Sequence, residues 1–289
     1  MIRFVSIRTE RGLAVPTKPL HEWAYEPLEK HEDIVLSFDG PVAVITLNRA
    51  ETGNTLTARM IEELHDAFMR VGRERERPAR AVILRAEGQD FCAGDNLAWV
   101  VEAEEGTWPD GWDRIGPLAS LIRLVPQPVI GEVRGTVAGA ACRLVAACDI
   151  VLAGTGARFA APGIAKGLFA TAPALELVRH LPSRRAVDWL LTGEPMPAHE
   201  ALLSGLVSRV VPGEQLEAEA RRVAHKIAGA SFQALSVAKR AWDQFLWDRG
   251  GTTAFGYIGI PLSDCAKSAD GREERQALLE GRPPVWRHG

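Results

Sequence analysis

Several features that mark other protein classes are missing from this sequence of 289 residues. No apolar run reaches the roughly 20 residues that a membrane-spanning helix needs, and the first residues, with Arg3, Arg8 and Arg11, do not have the pattern of a leader peptide. Lysines and arginines are scattered among acids, and the net charge of −3 is small. These absences predict a cytoplasmic protein that binds neither membranes nor nucleic acids.

Cysteine is also scarce, and the pattern of a disulfide framework or zinc site is absent. The four cysteines are Cys92, Cys142, Cys148 and Cys265, and no two of them form a CxxC pair. Three stand in apolar surroundings, which is typical of reduced, buried thiols, and we predict no metal site. With 46% hydrophobic residues, the chain can bury a large core, and this excludes a disordered or fibrous protein.

Periodicity divides the chain into three parts. Residues 1–30 carry no sustained period and are predicted to form an N-terminal arm. Residues 31–182 alternate strand and helix patterns, which is typical of βαβ units and predicts an α/β core. Residues 183–289 read as almost wholly helical, apart from a brief strand in "VSRVVP".

Within the core, the first two strand patterns, "DIVLSFDG" and "PVAVITLNR", meet at Asp39-Gly40, which is a hairpin signal. Thr57 is a plausible N-cap for the amphipathic helix that follows. Four further strands are predicted in "RAVILRA", "PQPVIGEVRG", "IVLAG" and "ARFAAP".

Two turns rich in small residues stand out, "GQDFCAGDNLAWV" and "RGTVAGAACRLV". Each follows a strand pattern and leads into a helix pattern, so each can present unpaired backbone N–H groups. Two such groups that converge on one point would form an oxyanion hole. The alternative is that the glycines and alanines serve only tight packing.

In these segments the chain resembles the crotonase superfamily, also called the enoyl-CoA hydratase/isomerase family, over residues 33–287. The resemblance rests on segments that occur in family order and spacing: "ITLNRAETGNTL", "FCAGDNL", "PVIGEVRGTVAGAACRLVAACDIVLAG", "FAAPGIAKGLF", "LLTGEPMPAHEALLSGLVSRVVP" and "EGRPPVW". It implies a ββα-superhelix (spiral) core with a C-terminal helical region that builds a homotrimer or a dimer of trimers.

The resemblance further implies that the substrate is an acyl-CoA thioester and that CoA enters only as part of it, with no other cofactor. The thioester oxygen is expected between the backbone N–H groups of Ala93 and Ala140, which would stabilise an enolate-like charge. The residues expected beside the CoA moiety are Thr52, Gly53, Ala93, Asp95, Asn96, Leu97, Gly139 and Ala140.

The sequence departs from the family where hydratases carry two glutamates, because Arg143 and Gly163 occupy those positions. Hydration needs a carboxylate base and an acid, and arginine stays protonated while glycine has no side chain. Arg143 could clamp a carboxylate of the substrate, or it could pair with an acid of the protein. We therefore predict slow hydration at best.

Two acids are conceivable replacements. Glu132 lies two residues before Arg134 in a predicted strand and is either a substitute base or half of a salt bridge. Glu176 could extend toward the pocket, although helical periodicity does not determine where its side chain points.

Two functions remain open. The first is an acyl-CoA enzyme with a non-standard site, which would catalyse isomerisation, decarboxylation, thioester hydrolysis or weak hydration. The second is a non-catalytic acyl-CoA binder or assembly subunit. An unrelated structural protein is disfavoured by the ordered motifs.

Overall fold

A computed structural model describes residues 8–9, 12–13, 28–74, 79–94, 115–163, 176–177, 179–247 and 268–286. Its strands are β1 (Arg8–Thr9), β2 (Gly12–Leu13), β3 (Ile34–Asp39), β4 (Val42–Leu47), β5 (Ala81–Ala86), β6 (Val129–Val133), β7 (Thr136–Ala138), β8 (Ile150–Gly154), β9 (Arg158–Ala160), β10 (Met196–Pro197) and β11 (Arg209–Val211). Its α-helices are α1 (Ala58–Arg73), α2 (Ile115–Leu124), α3 (Ala140–Ala146), α4 (Ser183–Thr192), α5 (Ala198–Leu203), α6 (Leu216–Ala228), α7 (Phe232–Trp247) and α8 (Ala269–Glu280).

The main sheet has six strands in the order β11-β8-β6-β5-β4-β3. β3 and β4 form the predicted antiparallel hairpin, and the other neighbours are parallel. Gly40 lies in the hairpin turn with φ +57°, a conformation that favours glycine. Thr57 caps α1 as predicted, because its side-chain oxygen accepts a hydrogen bond from the Met60 amide over 3.0 Å.

Helices cover the sheet on both faces. Alternate residues of β5 and β6, such as Val82 and Val133, pack with α1, α2 and α3 in the larger core. The intervening residues, such as Ile83 and Ile130, pack with α6 in a second core. Near-continuous burial of the parallel strands follows from this two-sided cover. None of the helices in the described ranges is long and apolar enough to cross a membrane.

A second, three-stranded sheet in the order β10-β9-β7 was not predicted. We had expected residues 136–138 to belong to a turn, but they form β7, which pairs in parallel with β9. β7 and β10 are three and two residues long, so neither presents a run that periodicity can detect.

The predicted boundary at residue 183 does not separate two domains. β11 lies beyond it and completes the main sheet by pairing in parallel with β8. α6 also lies beyond it and supplies the apolar residues Leu216, Ala220 and Ala224 that cover one face of that sheet. The C-terminal part and the α/β core therefore share their hydrophobic cores. Of the predicted arm, only residues 8–9, 12–13 and 28–30 are described.

Candidate active site

The structure brings the two small-residue turns together. The chain from Phe91 to Ala93 runs parallel to β7, with the Cys92 amide donating to the Thr136 carbonyl over 3.0 Å and the Ala138 amide donating to the Cys92 carbonyl over 3.0 Å. Both turns therefore leave this pairing at the same end, as the predicted oxyanion hole built from two backbone segments requires.

Glycines at the ends of the paired segments allow the close approach. Gly94 has φ +98° and lies against the Ala138 carbonyl, and Gly139 has φ +55° and is the N-cap of α3. The Gly139 amide donates to the Ala160 carbonyl over 2.9 Å, so α3 starts beside β9. Ala140 is the first residue of α3.

Ala93 does not supply the donor that the sequence predicted. Its amide donates to the Gly53 carbonyl over 2.8 Å and is thus used within the fold. The next amide, that of Gly94, lies 3.4 Å from Cys92 Sγ. The turn continues with Asp95, Asn96 and Leu97, predicted to lie beside CoA, and these lie outside the described residues.

The loop with Thr52 and Gly53 is positioned by Asn54, a buried residue that sequence reasoning missed. The Asn54 amide group donates to the Glu87 carbonyl over 2.9 Å and to the Asp90 carbonyl over 3.0 Å, and its oxygen accepts from the Arg49 amide over 2.8 Å. Its φ of 52° is tolerated best by glycine and asparagine, which is the signal that could have identified it. Asn54 therefore holds the 50–55 loop against the first turn.

Arg143 is buried, with 5% of its surface exposed, and it faces an acid of the protein. Its Nε lies 3.8 Å from Oε1 of Glu176, which is 1% exposed. Of the two alternatives left open for Arg143, the structure thus shows the pairing with a protein carboxylate. It also shows that Glu176 does extend toward α3.

Two further arginines converge on Glu176, and sequence reasoning missed both. Arg123 Nη1 in α2 lies 2.7 Å from Glu176 Oε1, and Arg179 Nη1 lies 3.5 Å from Oε2. Asp243 of α7 contacts Arg123 Nε over 3.3 Å. We call these five residues the arginine cluster: Arg123, Arg143, Glu176, Arg179 and Asp243.

Burial shifts the pKa values of a base and an acid of the cluster in opposite directions. Burial lowers the pKa of Arg179 to about 10, although attraction to Glu176 opposes that shift. Burial raises the pKa of the Asp243 carboxyl, against the attraction of Arg123 and Arg179. Arg179 and Asp243 are therefore partly desolvated, and the opposite charges around each of them offset part of that cost.

Glu132 is not at the predicted site. Its Oε1 lies 2.7 Å from Nη2 of Arg134, as the salt-bridge interpretation predicted. Because side chains alternate along a strand, Glu132 in β6 points to the same face of the sheet as Ile130, which packs against α6. Val133 points to the other face and joins the core that contains α3. Because the Glu132 side chain leaves the sheet on the side away from α3, a role as substitute base is excluded in this arrangement.

Gly163, where the resemblance predicts the second glutamate, lies three residues after β9 and is half-buried. It brings no carboxylate, and the chain from 164 to 175 lies outside the described residues. Asp149 accepts a hydrogen bond from the Val129 amide over 2.7 Å and pairs with Lys239 Nζ over 2.8 Å. Asp149 therefore holds Val129, the first residue of β6, in place.

The sequence model of a family described as enoyl-CoA hydratase/isomerase matches residues 37–289. The chain belongs to the enoyl-CoA hydratase/isomerase family. It is 35% identical over 257 residues to enoyl-CoA hydratase domain-containing protein 3, mitochondrial, of Xenopus laevis, covering 88% of this chain and 86% of that protein. The human protein of the same name is 35% identical over 246 residues, covering 84% of this chain and 80% of that protein.

Solved structures confirm the crotonase fold that the sequence predicted. The crystal structure of human enoyl-CoA hydratase domain-containing protein 3 superposes with a TM-score of 0.83 at 32% identity, covering 88% of this chain and all (100%) of that one. An enoyl-CoA hydratase of Mycobacterium smegmatis gives a TM-score of 0.84 at 31% identity, covering 89% and 99% of the two chains. The chain is thus similar both to this branch of the family and to a bacterial member.

Proposed function

We propose that this member of the enoyl-CoA hydratase/isomerase family binds acyl-CoA thioesters and stabilises an enolate-type oxyanion without the two hydratase glutamates. The observation that carries this proposal is the convergence of the two turns beside a buried Arg143 that pairs with Glu176. A site of this kind supports reactions that need charge stabilisation on the thioester oxygen more than acid–base work by a carboxylate.

One donor of the proposed oxyanion hole is the Ala140 amide at the start of α3, where the helix dipole adds to the field. Since the Ala93 amide is used by Gly53, the other donor has to come from the part of the turn that follows Gly94, beginning with Asp95. Both proposed donors then lie within the segments that resemble the family.

A non-catalytic acyl-CoA binder is the second candidate, and a specific observation favours it. Glu176 is engaged by Arg123, Arg143 and Arg179, so the carboxylate beside Arg143 is held as a counter-ion. A carboxylate engaged in this way serves as a counter-ion within the fold. Such a site binds and polarises a thioester without necessarily turning it over.

Titration with CoA thioesters, followed by turnover on a panel of acyl-CoAs, tests the proposal. We expect saturable binding of acyl-CoA and conversion of at least one member by isomerisation, decarboxylation, thioester hydrolysis or slow hydration. Binding without conversion of any member would support the second candidate, and the absence of any saturable binding would overturn both.

We also propose a homotrimer or a dimer of trimers. Val187 and Leu191 lie one turn apart on α4 and are 54% and 57% exposed, and Leu203 on α5 is 75% exposed, so apolar side chains are available for subunit contacts. A monomer mass from light scattering at micromolar concentration would contradict this.

The cytoplasmic location stays a prediction, while the Xenopus and human relatives are named as mitochondrial. Cell fractionation decides between the two compartments.

A further inference from the structure

The arginine cluster lies one helical turn beyond the proposed oxyanion donor. Arg143 follows Ala140 by three residues, so the two lie on one face of α3. In the proposed complex the Ala140 amide binds the thioester oxygen, and the acyl chain begins at the carbon that carries this oxygen. The first acyl carbons therefore lie beside the first turn of α3, and Arg143 limits the room beyond them.

Arg143 is held in place by its partner and is not available to a ligand. Its Nε lies 3.8 Å from Glu176 Oε1, and the same oxygen lies 2.7 Å from Arg123 Nη1. Removing one partner from a buried ion pair leaves an uncompensated charge, which is strongly unfavourable. The Arg143 side chain consequently stays beside Glu176 when an acyl group binds.

The cluster is closely packed as well as charged. Its three arginine side chains are at most 13% exposed, and that of Glu176 is 2% exposed. Cys142 and Leu144, on either side of Arg143 in the chain, are fully buried. An acyl chain that extends past Arg143 would thus have to displace charged groups that already have partners within the fold.

The charges of the cluster also make it a poor environment for a long acyl chain. Each methylene that moves from water into apolar surroundings strengthens binding by about fourfold. Methylenes placed against guanidinium and carboxylate groups gain little of this, because they would separate charged groups from their partners. Affinity should therefore stop rising at the chain length that reaches Arg143.

We propose, on the basis of the function proposed above, that the ion pair of Arg143 and Glu176 closes the acyl site and restricts the substrate to CoA thioesters of short acyl groups. One helical turn separates Ala140 from Arg143, a rise of about 5.4 Å that roughly four carbons span in an extended chain. The ligand class is then an acyl-CoA of about four carbons or fewer. Arg143 determines this specificity, and Glu176 is the positioning residue that holds it.

The test measures the binding of acetyl-, butyryl-, hexanoyl- and octanoyl-CoA by calorimetry. In the wild type, affinity should rise from acetyl- to butyryl-CoA and should then change by less than about tenfold up to octanoyl-CoA. An apolar channel would instead give a gain of roughly 200-fold over those four methylenes.

The variant that opens the site is Arg143→Ala with Glu176→Gln. It removes one charge of each sign, so the net charge of the cluster is unchanged, and the glutamine keeps an oxygen that can accept from Arg123. We expect the ratio of octanoyl-CoA to butyryl-CoA affinity to increase by at least about tenfold relative to the wild type.

Arg185→Ala with Glu200→Gln is the matched control. It makes the same two changes in an exposed ion pair between α4 and α5 and should leave the chain-length profile unchanged. If the double variant at 143 and 176 does not fold, Arg143→Gln alone shortens the side chain and should raise the ratio by at least about threefold.

Three outcomes would count against the inference or its basis. A gain of roughly 200-fold from butyryl- to octanoyl-CoA in the wild type would overturn the inference while the proposed function stands. An unchanged ratio in a folded variant at position 143 would also overturn it, because another part of the protein would then limit the chain length. If the wild type binds none of the four thioesters saturably, the proposed function itself fails.

Discussion

Gly94 and Ala138 approach each other so closely that a Cβ atom added to Gly94 would lie 2.6 Å from the Ala138 carbonyl oxygen. This contact joins the turn after residue 91 to the turn that leads into α3. The position of both turns, and with it the proposed acyl-CoA site, therefore depends on a residue without a side chain.

Gly94→Ala should consequently destabilise the protein. Its φ of +98° strains any other residue, and the opposing atom is backbone that cannot rotate away. We expect the free energy of unfolding to fall by about 2 kcal/mol or more, as measured by urea denaturation, together with weaker acyl-CoA binding. Gly156→Ala is the control, because no heavy atom lies within 4 Å of a Cβ there; equal stability of the two variants would contradict the packing argument.

Ala140→Pro tests the proposed oxyanion donor. Proline is tolerated at the first position of a helix, so the change removes the N–H group while α3 keeps its start. We expect any thioester turnover to fall by about 10²–10³-fold with little change in thermal midpoint. Undiminished turnover in a folded variant would mean that the Ala140 amide does not face the oxyanion.

Hydration of crotonyl-CoA should be slow in the wild type, because Arg143 and Gly163 stand where the family resemblance predicts two glutamates. Loss of one acid or base costs about 10²–10⁴-fold in rate, and losses of residues that act together are not additive. A wild-type kcat/KM near ~10⁷ M⁻¹s⁻¹, measured from the absorbance of the enoyl thioester, would refute the prediction.

The same assay can measure restoration of hydration. Arg143→Glu with Gly163→Glu supplies both carboxylates, but Glu176 then repels the new acid at 143. Adding Glu176→Gln should relieve that repulsion, so we expect the triple variant to hydrate crotonyl-CoA faster than the double variant. A triple variant that is no faster, although folded, would show that Glu176 does not influence position 143.

Lys239 connects α7 to the end of α2, and its replacement should destabilise the protein. Its ammonium donates to the carbonyls of Ile122 and Gln127 over 2.9 and 2.8 Å and pairs with Asp149 over 2.8 Å. Lys239→Met leaves the carbonyls of Ile122 and Gln127 buried without this donor, whereas Asp149 is exposed to water, so we expect a loss of about 2–4 kcal/mol in the free energy of unfolding. Lys226→Met, on the exposed side of α6, should be nearly neutral; a similar loss in both would contradict the prediction.

Stability should decline in mild acid because of His65 in α1. Burial lowers the pKa of the imidazole from its ordinary value of 6.5, and the attraction of Asp66 offsets this only in part. Below that value the unfolded chain binds a proton that the folded chain resists, so this stability is complete above pH 6.5 and is lost as the pH falls. His65→Gln should flatten the dependence of the urea midpoint on pH, while the exposed control His199→Gln should not; equal slopes in both would refute the assignment.

Local signals in the sequence determined much of the framework. Asp39-Gly40 specified the hairpin and Thr57 the start of α1, because turn and cap chemistry depends on a few adjacent residues. The strands of the parallel sheet followed from their continuous burial. Two turns rich in small residues, at Gly94 and Gly139, were recognised because only small residues permit close backbone approach.

Only the tertiary structure decided which groups in the site are engaged. The Ala93 amide donates to Gly53, and Glu176 meets Arg123 and Arg143, in each case across segments distant in the chain. Periodicity places a residue on a face of its own helix or strand, but the rotation and spacing of packed elements select its partner. For that reason the sequence could show that positions 143 and 163 carry no carboxylate, whereas the buried carboxylate beside Arg143 became visible only in the fold.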